Sequence, residues 1–231
     1  MNCNTLTRGL IATLVGLPSI ACGQIDLGNF AVLAGSTVTN AGPSIVDGGD
    51  IGVSPGASIT GFGPGVLVAP YAFHVADAAA AQAQLDLAAA YNMAAALPVT
   101  QSLTGQDLGG LTLTPGVYFF ASSAQLTGIL TLNSLNNPDA QFIFQIGSTL
   151  TTSSNASVVS INGGPGTTGG GCDVYWQVGS SATFGTATAF QGHILAMASI
   201  TLTTGASVTE GSLLARDGAV TLDTNRITNC I

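Results

Sequence analysis

The sequence predicts a mostly β protein: a β-solenoid whose coils each contribute about three short strands, with one long α-helix alongside. Three observations predict this class. Short triplets with a central Thr return at a nearly constant spacing, Gly (31 residues) and Asn are frequent at the expected corners, and a single Ala-rich segment has a helical composition. Only 6% of the 231 residues are charged while 46% are hydrophobic, so the chain can bury a substantial core.

The helical segment is Pro70 to Leu97, in which alanines surround larger apolar residues such as Leu85 and Leu87. Pro70 suits the first turn of a helix, and Pro98 ends it. At 1.5 Å per residue this helix would be about 40 Å long, so it needs a long partner. We expect it to shield one apolar face of the solenoid, with Leu85 on the packed side.

The solenoid prediction rests on a repeated triplet: an apolar residue, Thr, and usually a second apolar residue. The central residues of the triplets are Thr112, Thr131, Thr151, Thr183, Thr201 and Thr221. They follow one another at nearly constant intervals, and the one long interval, from Thr151 to Thr183, contains a Gly-rich loop at 163–171. A period of about 20 residues with short strands is typical of a β-solenoid.

Alternation along a strand sends neighbouring side chains to opposite faces, so we expect the six threonines to stack as one outward ladder, about 4.8 Å apart. Ile200 and Leu202 then point into the core and Thr201 is exposed. Two residues further on, about 6.6 Å away, lies a second polar or small rank. Its members are Thr114, Asn133, Ser153, Gly185, Thr203 and Asp223.

Two interpretations of the ladder remain open. Thr favours strands and stacks on itself, so the ladder can be purely structural. Alternatively, a flat, uncharged array of hydroxyls and methyls at a fixed repeat is suited to contact a periodic solid rather than to enclose a small molecule. The scarcity of surface charge favours the second interpretation, because a solenoid that needs only solubility would carry Lys and Glu.

The charge composition also excludes classes of partner. The net charge is -8, there is no Lys, and the basic residues are Arg8, Arg216 and Arg226. Nucleic-acid binding is therefore not expected, because it requires a basic surface that neutralises phosphates.

Residues 1–23 are predicted to be a secretory signal peptide, whose apolar run, Leu10 to Ala21, is too short to span a bilayer. We expect cleavage before Gln24. The alternative is cleavage after Ala21, which leaves Cys22 at or near the new terminus as a weak candidate for a lipid anchor. The remaining chain, 24–231, is predicted to be one secreted, extracellular domain without a membrane span.

Outside this leader the cysteines are Cys172 and Cys230. In an oxidising compartment an isolated pair is expected to form a disulfide. A zinc site needs further Cys or His at ligand spacing, and His74 and His193 lie far apart. No metal and no cofactor are expected.

Five longer motifs follow one another along essentially all of the mature chain. They are Asn29–Asn40 (NFAVLAGSTVTN), Gly49–Gly56 (GDIGVSPG), Leu113–Tyr118 (LTPGVY), Phe142–Ile146 (FIFQI) and Cys172–Val178 (CDVYWQV). In this order they resemble the secreted ice-binding protein family of bacteria, fungi and diatoms.

The resemblance implies a right-handed, discontinuous, three-faced β-helix with one long helix along one face and an ice-binding surface on another. It implies that the N-terminal segment, including Thr37 and Thr39, joins the solenoid beside its C-terminal coils. It also implies an ice crystal surface as partner, with thermal hysteresis and inhibition of ice recrystallisation as activities. The family has no strict motif for the ice-binding face, so its placement follows the Thr ladder. The expected ice-binding residues are Thr37, Thr39, Thr112, Thr131, Thr151, Ser153, Thr183, Thr201, Thr203 and Thr221.

Two other classes compete with this interpretation. A polysaccharide-active enzyme can share a β-helix, but it needs clustered carboxylates, and here Asp47 and Asp50 come nearest, in a Gly-containing turn. No enzyme is expected. An adhesive or surface module would share the exported, low-charge solenoid. We expect a monomer or a weak dimer.

Overall fold

The computed structural model describes residues 27–163 and 171–230. The predicted signal peptide and its cleavage site lie outside these residues. The strands, in chain order, are β1 Phe30–Ala34, β2 Thr37–Ala41, β3 Ile45–Asp47, β4 Asp50–Val53, β5 Ser58–Thr60, β6 Val66–Leu67, β7 Phe73–Val75, β8 Gln101–Ser102, β9 Thr112–Leu113, β10 Gly116–Phe120, β11 Ala124–Leu126, β12 Ile129–Asn133, β13 Phe142–Ile146, β14 Leu150–Thr152, β15 Ser157–Ile161, β16 Val174–Val178, β17 Ala182–Phe184, β18 Ala189–Gln191, β19 His193–Ala196, β20 Ile200–Leu202, β21 Ser207–Thr209, β22 Leu213–Ala215, β23 Val220–Asp223 and β24 Arg226–Thr228. Helix α1 is Ala78–Ala96, and a 3-10 turn covers Gly171–Asp173.

The strands form three parallel sheets, one on each side of the coil, which confirms the predicted three-sided solenoid. Sheet A has the order β7-β4-β1-β22-β19-β16-β13-β10-β8. Sheet B has the order β11-β14-β17-β20-β23-β2-β5, and sheet C has the order β6-β3-β24-β21-β18-β15-β12-β9. Parallel strands joined by short turns place equivalent residues of successive coils beside one another.

The coil order does not follow the chain order. Strands β1, β2 and β3 pair with β22, β23 and β24, so the N-terminal coils continue the solenoid from its C-terminal end. The expectation that Thr37 and Thr39 lie beside the last coils is therefore confirmed. This junction depends on side-by-side pairing of distant segments rather than on chain continuity.

The interior is a stack of apolar side chains from all three sheets. On sheet A the aromatic rings of Tyr118, Phe144 and Trp176 occupy paired positions, and the last two stack with centroids 3.8 Å apart. The Trp176 indole Nε1 donates a hydrogen bond to the Gln191 carbonyl at 3.0 Å. Since this polar atom is satisfied, Trp176 can be fully buried, as a core role requires.

The central strands of sheet A are buried on both faces because α1 lies across their outer side, whereas the end strands β7 and β8 are largely exposed. The helix contributes Ala80, Ala83, Leu87, Ala90, Tyr91 and Ala94 to this second core. The sheet contributes Phe30, Leu33, Val117, Ile143, Tyr175, Leu195 and Leu214. Burial on both faces explains why the strands of sheet A are almost continuously apolar.

The predicted helix begins too early. The structure starts it at Ala78, not Pro70, and Phe73–Val75 instead forms β7, which pairs with β4 at the end of sheet A. Asp77 is the N-cap, and its carboxylate accepts a hydrogen bond from the Ala80 amide at 2.9 Å. Strand pairing and this cap together outweigh the helix-starting tendency of Pro70.

The prediction for Leu85 is also wrong, because its side chain is 65% exposed. Leu87, two residues later, faces sheet A and is buried. At the other end of the helix the Gln145 Nε2 donates hydrogen bonds to the carbonyls of Ala94 and Leu97, at 2.8 and 2.9 Å. The sheet thus satisfies carbonyls at the helix end that have no partner within the helix.

The predicted Cys172–Cys230 disulfide is present, with a Cα–Cα distance of 5.8 Å. Beside it, His193 is only 7% exposed, its Nδ1 lies 2.8 Å from the Ser212 hydroxyl oxygen, and its Nε2 lies 3.9 Å from the Cys230 sulfur. Burial lowers the pKa of His193 from 6.5 to about 4, and a hydrogen bond to the Cys172 backbone opposes this shift.

Leu87→Asp should lower the free energy of unfolding by several kcal/mol, because it buries an unpaired charge between α1 and sheet A. Leu85→Asp is the matched control and should change it by less than about 0.5 kcal/mol, because that side chain faces water. Denaturant unfolding of both variants measures the difference. Equal stabilities would show that α1 is not docked through Leu87.

Removing the disulfide by Cys172→Ser and Cys230→Ser together should cost about 4 kcal/mol by the chain-entropy estimate. The reason is that the cross-link closes a sequence separation of 58 residues and so restricts the unfolded chain. Unfolding of the double variant and of the oxidised wild type measures the cost. An unchanged midpoint would contradict it.

Stability should fall by about 2 kcal/mol between pH 7 and pH 5 because of His193. Its folded-state pKa of about 4 lies below the unfolded value of 6.5, so in this window the unfolded chain binds a proton that the folded chain does not. Well above pH 6.5 both states are neutral and the effect vanishes. His193→Gln keeps a donor and an acceptor and should flatten the curve; a slope unchanged in this variant would assign the pH dependence to another group.

Candidate functional site

The outer face of sheet B carries a row of threonines. Each strand of this sheet has one central side chain that points outward and that neighbours its counterparts in the adjoining strands. From β5 to β11 these residues are Thr60, Thr39, Thr221, Thr201, Thr183, Thr151 and Gln125. Six consecutive coils therefore present Thr in register, over about 24 Å at the usual strand spacing.

The core fixes the direction of this row. The residues that precede the outward position are buried, including Ile200, Ala182 and Leu150. Ile200 and Leu202 flank Thr201 from inside, so the predicted orientation of Thr201 is confirmed. The outward side chains cannot turn in without displacing packed apolar residues, so the row is held rigidly.

A second row of small side chains runs parallel to the first, two residues earlier in each strand or in the turn before it. Its members are Ser58, Thr37, Ala219, Ser199, Ser181, Thr149 and Ser123. The Thr149 hydroxyl donates to the Ser123 hydroxyl at 2.8 Å, and the Ala219 amide donates to the Ser199 hydroxyl at 3.2 Å. Short side chains tied to their neighbours in this way make the row flat.

A third row, on the other side of the threonines, is less regular. Its members are Thr127, Ser153, Gly185, Thr203, Asp223 and Ala41. The Thr203 hydroxyl is turned to the Phe184 carbonyl and donates to it at 2.8 Å. Asp223 is the single charged residue in the three rows, and it accepts hydrogen bonds from the hydroxyls of Thr204 and Thr224. The first two rows are uncharged.

The structure separates the predicted ladder into two parts. Thr37, Thr39, Thr151, Thr183, Thr201 and Thr221 lie on sheet B, with Ser153 and Thr203 at its margin. Thr112 and Thr131 lie on sheet C, where they pair with each other. The prediction of one ladder of six is wrong because spacing gives the period of a coil but not the side of the coil on which a residue lies.

The side changes between Thr131 and Thr151. The position on sheet C that pairs with Thr131 is Val159, which follows later in the chain than Thr151. The coil from Thr131 to Val159 is longer than the coil before it, from Thr112 to Thr131, and Thr151 lies by chance at the shorter interval, which hid the change. The second rank divides in the same way, since Asn133 lies on sheet C.

Sequence reasoning missed several members of the sheet B face: Ser58, Thr60, Ser123, Thr149, Ser181 and Ser199. A pattern of Ser or Thr, a buried residue and Thr would have found most of them, since Ser181-Ala182-Thr183 and Ser199-Ile200-Thr201 share it. That pattern joins both uncharged rows, whereas the apolar-Thr-apolar triplet contains only the threonine and its inward neighbours.

Asp47 and Asp50, the carboxylates that came nearest to a catalytic cluster in the sequence, accept hydrogen bonds from the backbone instead. The Asp47 carboxylate accepts a hydrogen bond from the Gly48 amide, and that of Asp50 accepts one from the Ala72 amide, both at 2.8 Å. His74 lies between Asp50 and Asp77, at 3.5 and 2.8 Å. The pKa of Asp77 is held below its usual value, chiefly by the Ala80 amide of the helix cap. Asp50, His74 and Asp77 therefore stabilise the junction of β4, β7 and α1, while Asp47 stabilises the turn after β3.

Comparison with known families decides the classification. The model of the family described as Ice-binding-like matches residues 32–228. The chain belongs to the ice-binding protein family. Within the described residues, none of the helices combines the length and the apolar character needed to cross a membrane.

Relatives in the ice-binding family share most of the chain. An ice-binding protein of Nostoc sp. (strain HG1) is 57% identical over 201 residues, which cover 87% of this chain and 71% of that protein. Ice-binding protein 1 of Shewanella frigidimarina is 40% identical over 71% of this chain, but the match spans only 18% of that longer protein.

Solved ice-binding proteins share the fold. An ice-binding protein from an Antarctic biological consortium has a TM-score of 0.81 and 45% identity, with 96% of each chain covered. The DUF3494 domain of the Shewanella frigidimarina protein has a TM-score of 0.77 and 32% identity, with 90% of this chain and 97% of that one covered.

Proposed function

We propose that this chain is a secreted ice-binding protein, not an enzyme, and that it adsorbs to ice through the outer face of sheet B. The observation that carries the proposal is the row of six in-register threonines beside a second uncharged row of small residues. The family and its similar members support ice as the partner. The proposed contact residues are those of the two uncharged rows, with Ser153 and Thr203 at the margin.

The chemistry of the two rows fits a crystalline surface of water. A Thr side chain offers one hydroxyl, which can donate and accept hydrogen bonds, and one methyl group. In a rigid array the hydroxyls hydrogen-bond water at a fixed repeat. The methyl groups between them carry no charge, so they do not disrupt the ordering of that water as a charged side chain would. Ordered water of this kind can merge with an ice plane.

Adsorption by such a face is a collective event. Each contact is weak and reversible, but all engage together because the array is rigid before binding, so little conformational entropy is lost. Bound molecules then pin the growing crystal front. Thermal hysteresis and inhibition of ice recrystallisation are the expected consequences.

The face requires no second subunit, so we propose a protein that acts as a monomer or at most a weak dimer. An adhesive role remains the second candidate, because the Shewanella relative is much longer than the part that this chain matches. Purified chain that partitions into growing ice without any other component would support the first role. Partition only in the presence of cells or matrix would support the second.

Thr201→Tyr should greatly reduce thermal hysteresis, because a bulky group above the middle of a flat rigid face holds the face away from a crystal plane. The variant should remain folded, since a surface change of this kind usually shifts stability by less than about 0.5 kcal/mol. Thr183→Tyr and Thr221→Tyr occupy neighbouring positions of the same row and should behave alike. Nanolitre osmometry and thermal unfolding measure activity and stability.

Two control variants place the same side chain elsewhere. Leu85→Tyr, on the exposed side of α1, is the remote control. Asn155→Tyr lies in the turn between sheets B and C, where Asn155 has a positive φ of 58°, so thermal unfolding must first show that this variant is folded. Both should retain much more activity than Thr201→Tyr. Full activity of Thr201→Tyr with loss in Leu85→Tyr would move the ice-binding surface to the helix side of the molecule.

A further inference from the structure

The outer face of sheet C repeats the arrangement of sheet B. A central row runs in register from β9 to β24 at the positions that alternate with core residues, and every member except Gln191, which is only 7% exposed, reaches the surface. Its members are Thr112, Thr131, Val159, Gln191, Thr209 and Thr228. Four of the six are Thr, and Val159 differs from Thr only by a methyl in place of the hydroxyl. This row includes the two predicted site residues that sheet B does not contain.

The row is oriented by the core in the same way. Leu130 and Leu132 flank Thr131 and are completely buried, just as Ile200 and Leu202 flank Thr201 on sheet B. Two residues earlier in each strand lies a companion row, which runs Ile129, Ser157, Ala189 and Ser207 before it reaches Arg226. The same alternation of a small or apolar row with a Thr row therefore occurs on two sides of the solenoid.

Charge divides sheet C into two parts. Strands β3 and β24 carry Asp47 and Arg226 in these rows, whereas β9, β12, β15, β18 and β21 carry no charge in them. At β18 the central side chain, Gln191, is only 7% exposed, and its Nε2 donates a hydrogen bond to the Glu210 carboxylate at 2.7 Å. We call the uncharged surface on the near side of Gln191 the C patch; its outward residues are Thr112, Ile129, Thr131, Ser157, Val159 and Ala189.

The C patch exposes apolar side chains to an unusual degree. Ile129 is 55% exposed, Val159 is 41% exposed, and the neighbouring Ile161 is 39% exposed. Exposed aliphatic groups grouped on a flat sheet mark a binding surface more often than they serve solubility. On sheet B, by contrast, the outward rows contain no large apolar side chain.

The C patch is continuous with the face proposed to bind ice. Sheets B and C are joined in each coil by one short turn, for example from Gln125 through Thr127 and Gly128 to Ile129. Val159 likewise follows Thr151 across a single corner. The two surfaces therefore share an edge but face different directions, since they form two sides of a three-sided coil.

We propose that the C patch is a second ice-contacting surface. This inference rests on the proposed function, because it assigns the same partner to a second face. The C patch shares its two-row pattern, its lack of charge and an edge with the face of sheet B, and these features favour ice over another protein as its partner. A molecule with two such faces can present either of them to a crystal, so the set of planes to which it adsorbs should depend on both faces.

The test uses Thr131→Tyr and Thr201→Tyr, a matched pair in which the same side chain replaces a half-buried Thr between two buried aliphatic residues. The full mature chain, both single variants and the double variant are labelled fluorescently and grown into a single ice crystal. Leu85→Tyr is the control for a surface aromatic, and thermal unfolding verifies that each variant is folded.

The wild type should label two sets of planes, and each single variant should lose one of them. Ice partition of the double variant should fall to the level of a protein that does not bind ice. Val159→Thr should keep both sets, because Thr preserves the shape and the uncharged character of the patch. Val159→Tyr should behave like Thr131→Tyr.

The proposal is overturned if Thr131→Tyr labels the same planes as the wild type and the double variant partitions like Thr201→Tyr alone. It is also overturned, in favour of self-association, if the wild type sediments as a dimer that Thr131→Tyr dissociates while the labelled planes stay unchanged. Failure of the proposed function is distinct from both outcomes, because the wild type itself would then not partition into ice.

Discussion

In-register stacking of parallel strands is the constraint on which the rest of this structure depends. Each coil places one apolar residue inward between two outward residues, and the next coil repeats the placement at the strand spacing. The outward rows on sheets B and C are regular because the inward residues, such as Ile200 and Leu130, are completely buried beneath them and fix the strand positions. The regular spacing of the surface rows is therefore a consequence of the regular packing of the core residues beneath them.

The same constraint explains the need for the helix and the disulfide. The coils are joined out of chain order where β1, β2 and β3 meet β22, β23 and β24, so strand pairing and side-chain contacts, not chain continuity, hold that junction. Helix α1 crosses it on sheet A: Gln84 donates a hydrogen bond to the Ala215 carbonyl, and Arg216 lies over the Tyr91 ring, 5.2 Å from its centroid. On the other side, the disulfide ties the chain end just beyond β24 to Cys172. The helix braces the junction itself, and the disulfide fixes the coil that ends in β24, on which the N-terminal strand β3 pairs.

The sequence predicted the parts of the fold that depend on local alternation. The orientation of Thr201 between Ile200 and Leu202, the single helix and the cysteine pair all followed from residue types and spacing. The insertion of Thr37 and Thr39 beside the last coils followed only from the family resemblance, because pairing between distant strands leaves no local signal. The helix start was missed because pairing of Phe73–Val75 with β4 is a tertiary effect that overrides the helical tendency of Pro70.

The side of the coil was the hardest feature to predict. Thr131 and Thr151 have the same local pattern and an ordinary separation, yet they lie on different sheets because one coil is longer. Leu85 and Leu87 show the same difficulty on the helix, where Ala residues all around leave no clear apolar stripe. In both cases the kind of element was predicted correctly, but the side of the coil or helix on which the residue lies was not.

The most direct test of the central claim is the freezing behaviour of ice in a solution of purified residues 24–231. If flat, uncharged Thr rows adsorb to ice, a seed crystal held just below its melting point should stop growing and should develop facets. Freezing and melting temperatures that coincide, with round crystals that grow without shape, would contradict the account.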